Sequence, residues 1–151
     1  SIERGLRNVL NAGVDDTILV TTPDDISLRS AERALQVIES KYLPRPRLIV
    51  NRMDADLVYS GEMMSAQTVS EVVDLPLLGE IPEDQTFCRA MLRHSMLLSY
   101  QCEARSAIMR IAARLDGRTV PFPAYGQKAK TSRLQRFLSR KTKEVIPLDD
   151  H

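Results

Sequence analysis

An α/β fold with a parallel sheet between layers of helices is predicted by three observations. Three short apolar runs of strand length occur at TILVTT, RLIVN and LLGEI. Segments with helical periodicity separate them, and no two-residue hairpin signal joins any pair of runs. Strands alternating with helices imply right-handed crossovers, hence a parallel sheet covered on both faces, the three-layer αβα arrangement.

The elements follow in order. Ile2, Leu6, Val9 and Leu10 fall on one helical face, and the continuous apolar stretch in DDTILVTT reads as a strand buried on both sides. Asp24, Asp25 and Ser27 offer N-caps for a helix whose apolar positions are Ala31, Ala34, Leu35, Ile38 and Tyr42, stopped by Pro44 and Pro46. Residues 47 to 51 form the next strand, and a polar loop is expected up to Ser65, which caps a short helix carrying Val69, Val72 and Val73. Residues 77 to 81 make a third strand closed by Pro82. Ala104, Ala107, Ile108, Ile111, Ala112 and Leu115 mark an amphipathic helix that Gly117 ends. In open parallel sheets ligands sit beyond the carboxyl ends of the strands, which points to TTPDD, NRMDAD and IPEDQ as the candidate site.

Composition limits the function classes. A 151-residue chain with 43 % hydrophobic and 27 % charged residues is long enough for one domain with a real core. The formal net charge of +1 argues against a protein that coats nucleic acid with its whole surface, so any basic function is local. Cys88 and Cys102 form no CxxC pair and neither His94 nor His151 has a ligand-spaced partner, so no metal site is expected. No basic-then-apolar leader and no apolar run of about 18 residues is present, and the expected location is the cytoplasm.

A complete phosphate-handling α/β protein needs a glycine-rich turn with a Lys and a Ser or Thr. This chain has six Gly and no GKT or GKS, and it starts on Ser1 with a helix already under way. It reads as the second half of a larger α/β domain. IERG at 2 to 5, LVTTPD at 19 to 24, LIVNR at 48 to 52, GEMMS at 61 to 65, LLGEIPEDQ at 77 to 85, and VPF at 120 to 122 before a basic tail then carry a resemblance. In that order and spacing the chain, up to about Phe122, resembles the C-terminal half of the MinD branch of the deviant Walker A ATPases, the MinD/ParA family.

The resemblance implies a P-loop NTPase fold, with residues 1 to 122 as its C-terminal half, and an ATP-dependent switch that positions the division septum. ATP or ADP with Mg²⁺ would bind the complete protein. No tight nucleotide binding, and no hydrolysis, is expected of this chain alone. Asn51 and Arg52 would lie beside the adenine, with the loop of Pro82, Glu83 and Asp84 over the base. An Asn amide can both donate to and accept from a purine edge, which suits that role. Leu28, Arg29, Ser30, Glu32 and Arg33 would face a MinC-like division inhibitor and a MinE-like topological-specificity factor; Ser30 stands where the family often has an acid. A nucleotide-dependent homodimer and a peripheral position on the inner face of the cell membrane are further implications. The alternative is a non-catalytic interaction module, or a truncated partition-type relative, that binds a partner or DNA rather than ATP.

Residues 123 to 131 read as a linker, 132 to 146 as a basic amphipathic helix and 147 to 151 as an acidic end. At about 100° per residue Leu134, Phe137, Leu138 and Val145 share one sector, opposite Arg133, Arg136, Arg140 and Lys143. This is the layout of an interfacial helix on an anionic membrane, with Leu134, Arg136, Phe137, Leu138 and Arg140 as its contacts. Lys141 falls in the apolar sector and must snorkel, so one copy binds weakly and two copies on a dimer bind by avidity. A nucleic-acid arm would not need the apolar stripe, and a solvated helix would interleave acids; no nucleic acid partner is expected.

Overall fold

The computed structural model describes residues 13–96 and 99–122. The helix expected at 2 to 11, the linker, the tail helix with Leu134, Arg136, Phe137, Leu138 and Arg140, and the acidic end lie outside the described residues. Three strands, β1 (Ile18–Thr21), β2 (Arg47–Met53) and β3 (Leu77–Pro82), pair in parallel in that order. Between β1 and β2 runs α1 (Asp25–Ser40), and between β2 and β3 run α2 (Ala55–Ser60) and α3 (Ala66–Val73). After β3 come α4 (Gln85–Leu92) and α5 (Glu103–Leu115).

Alternation along β2 sorts the core onto two faces. Leu48, Val50 and Met53 meet Leu28 of α1 and Ala66, Val69 and Val73 of α3. Ile49 points the other way and joins Leu78 and Ile111 of α5. Helices therefore cover both faces of the sheet, as the alternation of elements requires. Gly79 permits the close approach of α5: a Cβ at that position would stand 2.3 Å from Ile111 Cγ1.

Several expectations need correction. β1 is not buried on both sides, because Ile18 is 40 % and Val20 56 % exposed. It stands at one edge of the described sheet, and the helix on the second face, α5, packs chiefly on β3, with Ile111 reaching Ile49 of β2. Tyr42 is 97 % exposed and lies beyond α1 with φ 55, since the helix stops at Ser40 and Pro44 disfavours helical geometry at the residue before it. Val72 is exposed as well: the buried stripe of α3 is Ala66, Val69, Ser70 and Val73, which leaves Val72 to one side.

The stretch expected as a loop before Ser65 contains α2, capped by Asp54 and closed by Gly61 at φ 82. α2 buries no residue, so no apolar stripe announced it. α4 buries only Ala90 and was equally silent. In α5 the buried positions are Ala104, Ala107 and Ile111, while Leu115 is 41 % exposed.

Candidate functional site

The carboxyl ends of all three strands converge on one open cleft of about 450 Å³. Thr22, Pro23 and Asp24 enter it from β1, Arg52 and Asp54 from β2, and Glu83 from β3. Leu57 of α2 and Met63 supply its apolar wall. Met63 and Met64 also pack against the first core cluster, so the cleft wall is continuous with the core.

Asp24 is the N-cap of α1 and accepts from the Ser27 amide at 2.9 Å. The Thr22 hydroxyl donates to its other oxygen and also reaches Ser27 Oγ at 2.7 Å. The Thr22 hydrogen bond foremost, then the Ser27 amide and hydroxyl, hold the Asp24 carboxyl down at about 2. Asp24 is thus a fixed anion across neutral pH, at the positive end of a helix dipole.

Arg52 adopts the left-handed conformation, φ 60, where the pairing of β2 with β3 shifts register between Val50 and Met53. A non-glycine residue in that region is uncommon and marks a locally over-determined turn. Three bonds determine it: the Arg52 amide donates to Asn51 Oδ1 at 2.9 Å, Arg52 Nε donates to Glu83 Oε2 at 2.8 Å, and the Glu83 amide donates to the Met53 carbonyl at 2.8 Å. The Glu83 carboxylate pushes the Arg52 pKa further above its ordinary value.

Of the five residues expected beside a nucleotide base, the structure brings Arg52 and Glu83 into the cleft and joins them. Asn51 lines a neighbouring groove between β1 and α1, with Thr22 shared between the two. Pro82 ends the pairing of β3, opposite Met53. Asp84 has a structural occupation: one oxygen accepts from the Thr86 amide at 2.7 Å as the N-cap of α4, and the other accepts from the Ala104 amide at 3.2 Å. Cys102, the N-cap residue of α5, makes no side-chain cap bond, so Asp84 serves both helices. Burial works to raise the Asp84 pKa, but the amides of Thr86 and Ala104 outweigh it and leave the carboxyl below its ordinary value.

On α1, Arg29, Glu32 and Arg33 are exposed and Ser30 is half-buried. Leu28 is 6 % exposed and belongs to the core, so a partner surface on this helix consists of its neighbours. The Ser30 hydroxyl donates back to the Ile26 carbonyl at 2.9 Å and accepts from Arg33 at 3.4 Å.

Sequence reasoning placed Asp54 in the strand-end segment NRMDAD but not as a helix cap, and it missed Leu57 and Arg114. The cap and Leu57 had a signal in the pair Asp54 and Gly61, a helix start and stop spaced for one short helix. Arg114 had none. Its guanidinium donates to the carbonyls of Leu78, Val120 and Pro121 at 2.9 to 3.0 Å and stacks 4.0 Å from the centre of the Phe122 ring, holding residues 120–122 against β3.

No family model matches the chain. It is 33 % identical over 135 residues to the septum site-determining protein MinD of Helicobacter pylori, covering 84 % of this chain and 50 % of that protein. Among solved structures it is similar to the MinC:MinD cell division protein complex of Aquifex aeolicus, at TM-score 0.71 and 28 % identity over 76 % of this chain and 48 % of that one. It is also similar to the MinD of Pyrococcus horikoshii complexed with Mg-ADP, at TM-score 0.59 and 25 % identity over 68 % of this chain and 41 % of that one. The chain spans about half the length of the curated relatives it matches.

Proposed function

Because this chain is a relative of the septum site-determining MinD proteins, matching about half of their length, we propose that it forms the adenine-side, partner-binding and membrane-binding half of an ATP-dependent switch that positions the division septum. The observation that carries the reading is the convergence of three strand-end loops on one cleft in a chain with this similarity. The relative from Pyrococcus horikoshii is complexed with Mg-ADP, and the relative from Aquifex aeolicus is in complex with MinC.

The charges of the cleft define which part of a nucleotide it suits. Asp24, Asp54 and Glu83 face a single guanidinium, Arg52, a balance that repels a triphosphate. The same acceptors suit an exocyclic amine and ribose hydroxyls. Asn51 Oδ1 is already engaged by the Arg52 amide, so Asn51 would present its Nδ2 as a donor to a ring nitrogen. ATP supplies the phosphate bond whose cleavage resets the switch, and its phosphates would rest on residues that this chain does not contain. MinC-like and MinE-like partners would meet Arg29, Ser30, Glu32 and Arg33. The tail contacts Leu134, Arg136, Phe137, Leu138 and Arg140 would hold the dimer on the inner face of the membrane.

The test is a chimera in which the half of the Helicobacter pylori protein that this chain does not match is joined ahead of Ser1. Its binding of a fluorescent ATP analogue is then titrated. Asn51→Ala should weaken binding roughly five- to tenfold, the scale of one hydrogen bond of about 1 kcal/mol. Unchanged affinity would return Asn51 to a structural role, and no binding by the chimera would overturn the nucleotide reading.

A further inference from the structure

The twenty acidic residues of the chain are unevenly spread, and the two longest stretches without one are 85–102 and 117–143. The second contains the amphipathic tail. The first, between Asp84 and Glu103, has the same chemistry in a folded setting: Arg89, Arg93 and His94 stand among Phe87, Met91, Leu92 and Met96. These apolar side chains are unusually open. Met91 is 65 %, Leu92 82 % and Met96 71 % exposed, against a helix α4 that buries only Ala90.

The backbone presents them on a fixed turn. The His94 amide donates to the Met91 carbonyl at 3.1 Å and the Ser95 amide to the Ala90 carbonyl at 2.9 Å, with His94 at φ 49. This is the paired-bond helix ending with a left-handed residue just past the C-cap. Leu92 and Met96 thus flank a closed turn. The start of α4 is held in turn by Asp84, which also caps α5.

From these observations we infer that the turn at the end of α4 is a second membrane-contact site, whose ligand is the surface of an anionic bilayer. Unbranched and γ-branched apolar side chains on a hydrogen-bonded turn, in a segment that carries the exposed Arg89 and Arg93 and has no acid from 85 to 102, match an interface with apolar depth and negative headgroups. A protein groove would more often answer two arginines with paired acids and enclose large side chains in pockets. The site extends the reading of the tail as a membrane anchor, and it would fix how the folded domain sits on the bilayer rather than leaving it tethered by the tail alone. Its contribution adds to that of the tail through avidity.

Four forms of the whole 151-residue chain decide it: the unaltered chain, Leu92→Glu with Met96→Glu, Phe137→Glu, and all three substitutions together. Each is co-sedimented with vesicles of phosphatidylcholine and phosphatidylglycerol, and with phosphatidylcholine alone. Circular dichroism checks that each variant folds, which exposed positions should permit. The Leu92→Glu and Met96→Glu pair should lower partition onto the anionic vesicles roughly tenfold with the tail intact, the scale of two half-buried side chains. A loss only with Phe137→Glu overturns the second site and keeps the tail. A loss only with the turn variant keeps the second site and overturns the tail. If the unaltered chain ignores anionic vesicles, or if the turn variant changes only its own self-association in sedimentation velocity, the proposal falls. A lysine pair at positions 92 and 96 separates apolar insertion from charge: binding weakened by Leu92→Lys with Met96→Lys on anionic vesicles supports insertion, and binding preserved by it overturns insertion.

Discussion

Replacing Asp84 tests whether one carboxylate joins two helices. In Asp84→Ala the Thr86 amide loses its acceptor at 2.7 Å and the Ala104 amide loses its acceptor at 3.2 Å. Loss of the N-cap costs about 0.5–2 kcal/mol. Loss of the second bond adds about 0.5–1.5 kcal/mol, because Cys102 gives α5 no replacement cap. The expected total, about 1–3.5 kcal/mol, is read from equilibrium urea unfolding of the chain at pH 7. Asp84→Asn keeps one acceptor and should lose an intermediate amount. The pH dependence gives a second check. The folded carboxyl titrates below its ordinary 3.8, so its stabilisation is complete above that value and is lost as pH falls through the lower folded one. The gap between the unaltered chain and Asp84→Ala should therefore be flat from neutral pH down to about 5 and close below it. A loss under about 0.5 kcal/mol, or a gap that persists undiminished in strong acid, would refute the double cap.

Two further predictions concern the packing of α5. Gly79→Ala should destabilise by about 1–3 kcal/mol, because the added methyl meets the buried Ile111 at Cγ1 as well as at its terminal Cδ1, so a rotation of the tip alone does not clear it; unchanged urea unfolding would mean that α5 shifts at no cost. Arg114→Lys should speed tryptic cleavage after Arg118 several-fold. An ammonium cannot span the carbonyls of Leu78, Val120 and Pro121 while stacking on Phe122, and equal cleavage would show that residues 120–122 are held by other contacts.

What was legible in the sequence followed from short-range pattern. RLIVN and LLGEI are apolar because both faces of β2 and β3 are covered, and Ala104, Ala107 and Ile111 recur at helical spacing because one face of α5 meets the sheet. Asp24 and Ser65 were readable as caps because a cap and its amide are only three residues apart. The strand-end loops could be named as a site before any side chain was placed, since parallel topology alone fixes the end at which they gather. Elements without a buried stripe escaped. α2 buries nothing and α4 buries Ala90 alone, so the apolar Leu57, Met91 and Leu92 carried no period that distinguishes a helix from a loop.

The sequence by itself determined the three-layer α/β class, the order of its strands and of the helices that carry a buried stripe, and the end of the sheet that bears the polar loops. Those follow from local periodicity and from the handedness of parallel crossovers. Only the tertiary structure decided how the loops are used. Arg52 and Glu83 are 31 residues apart and pair across two strand ends, and Asp84 caps a helix that starts about twenty residues later. Whether a carboxylate is spent on a neighbouring amide or left facing a cleft depends on distances between segments, and these are set by packing, which no local pattern records.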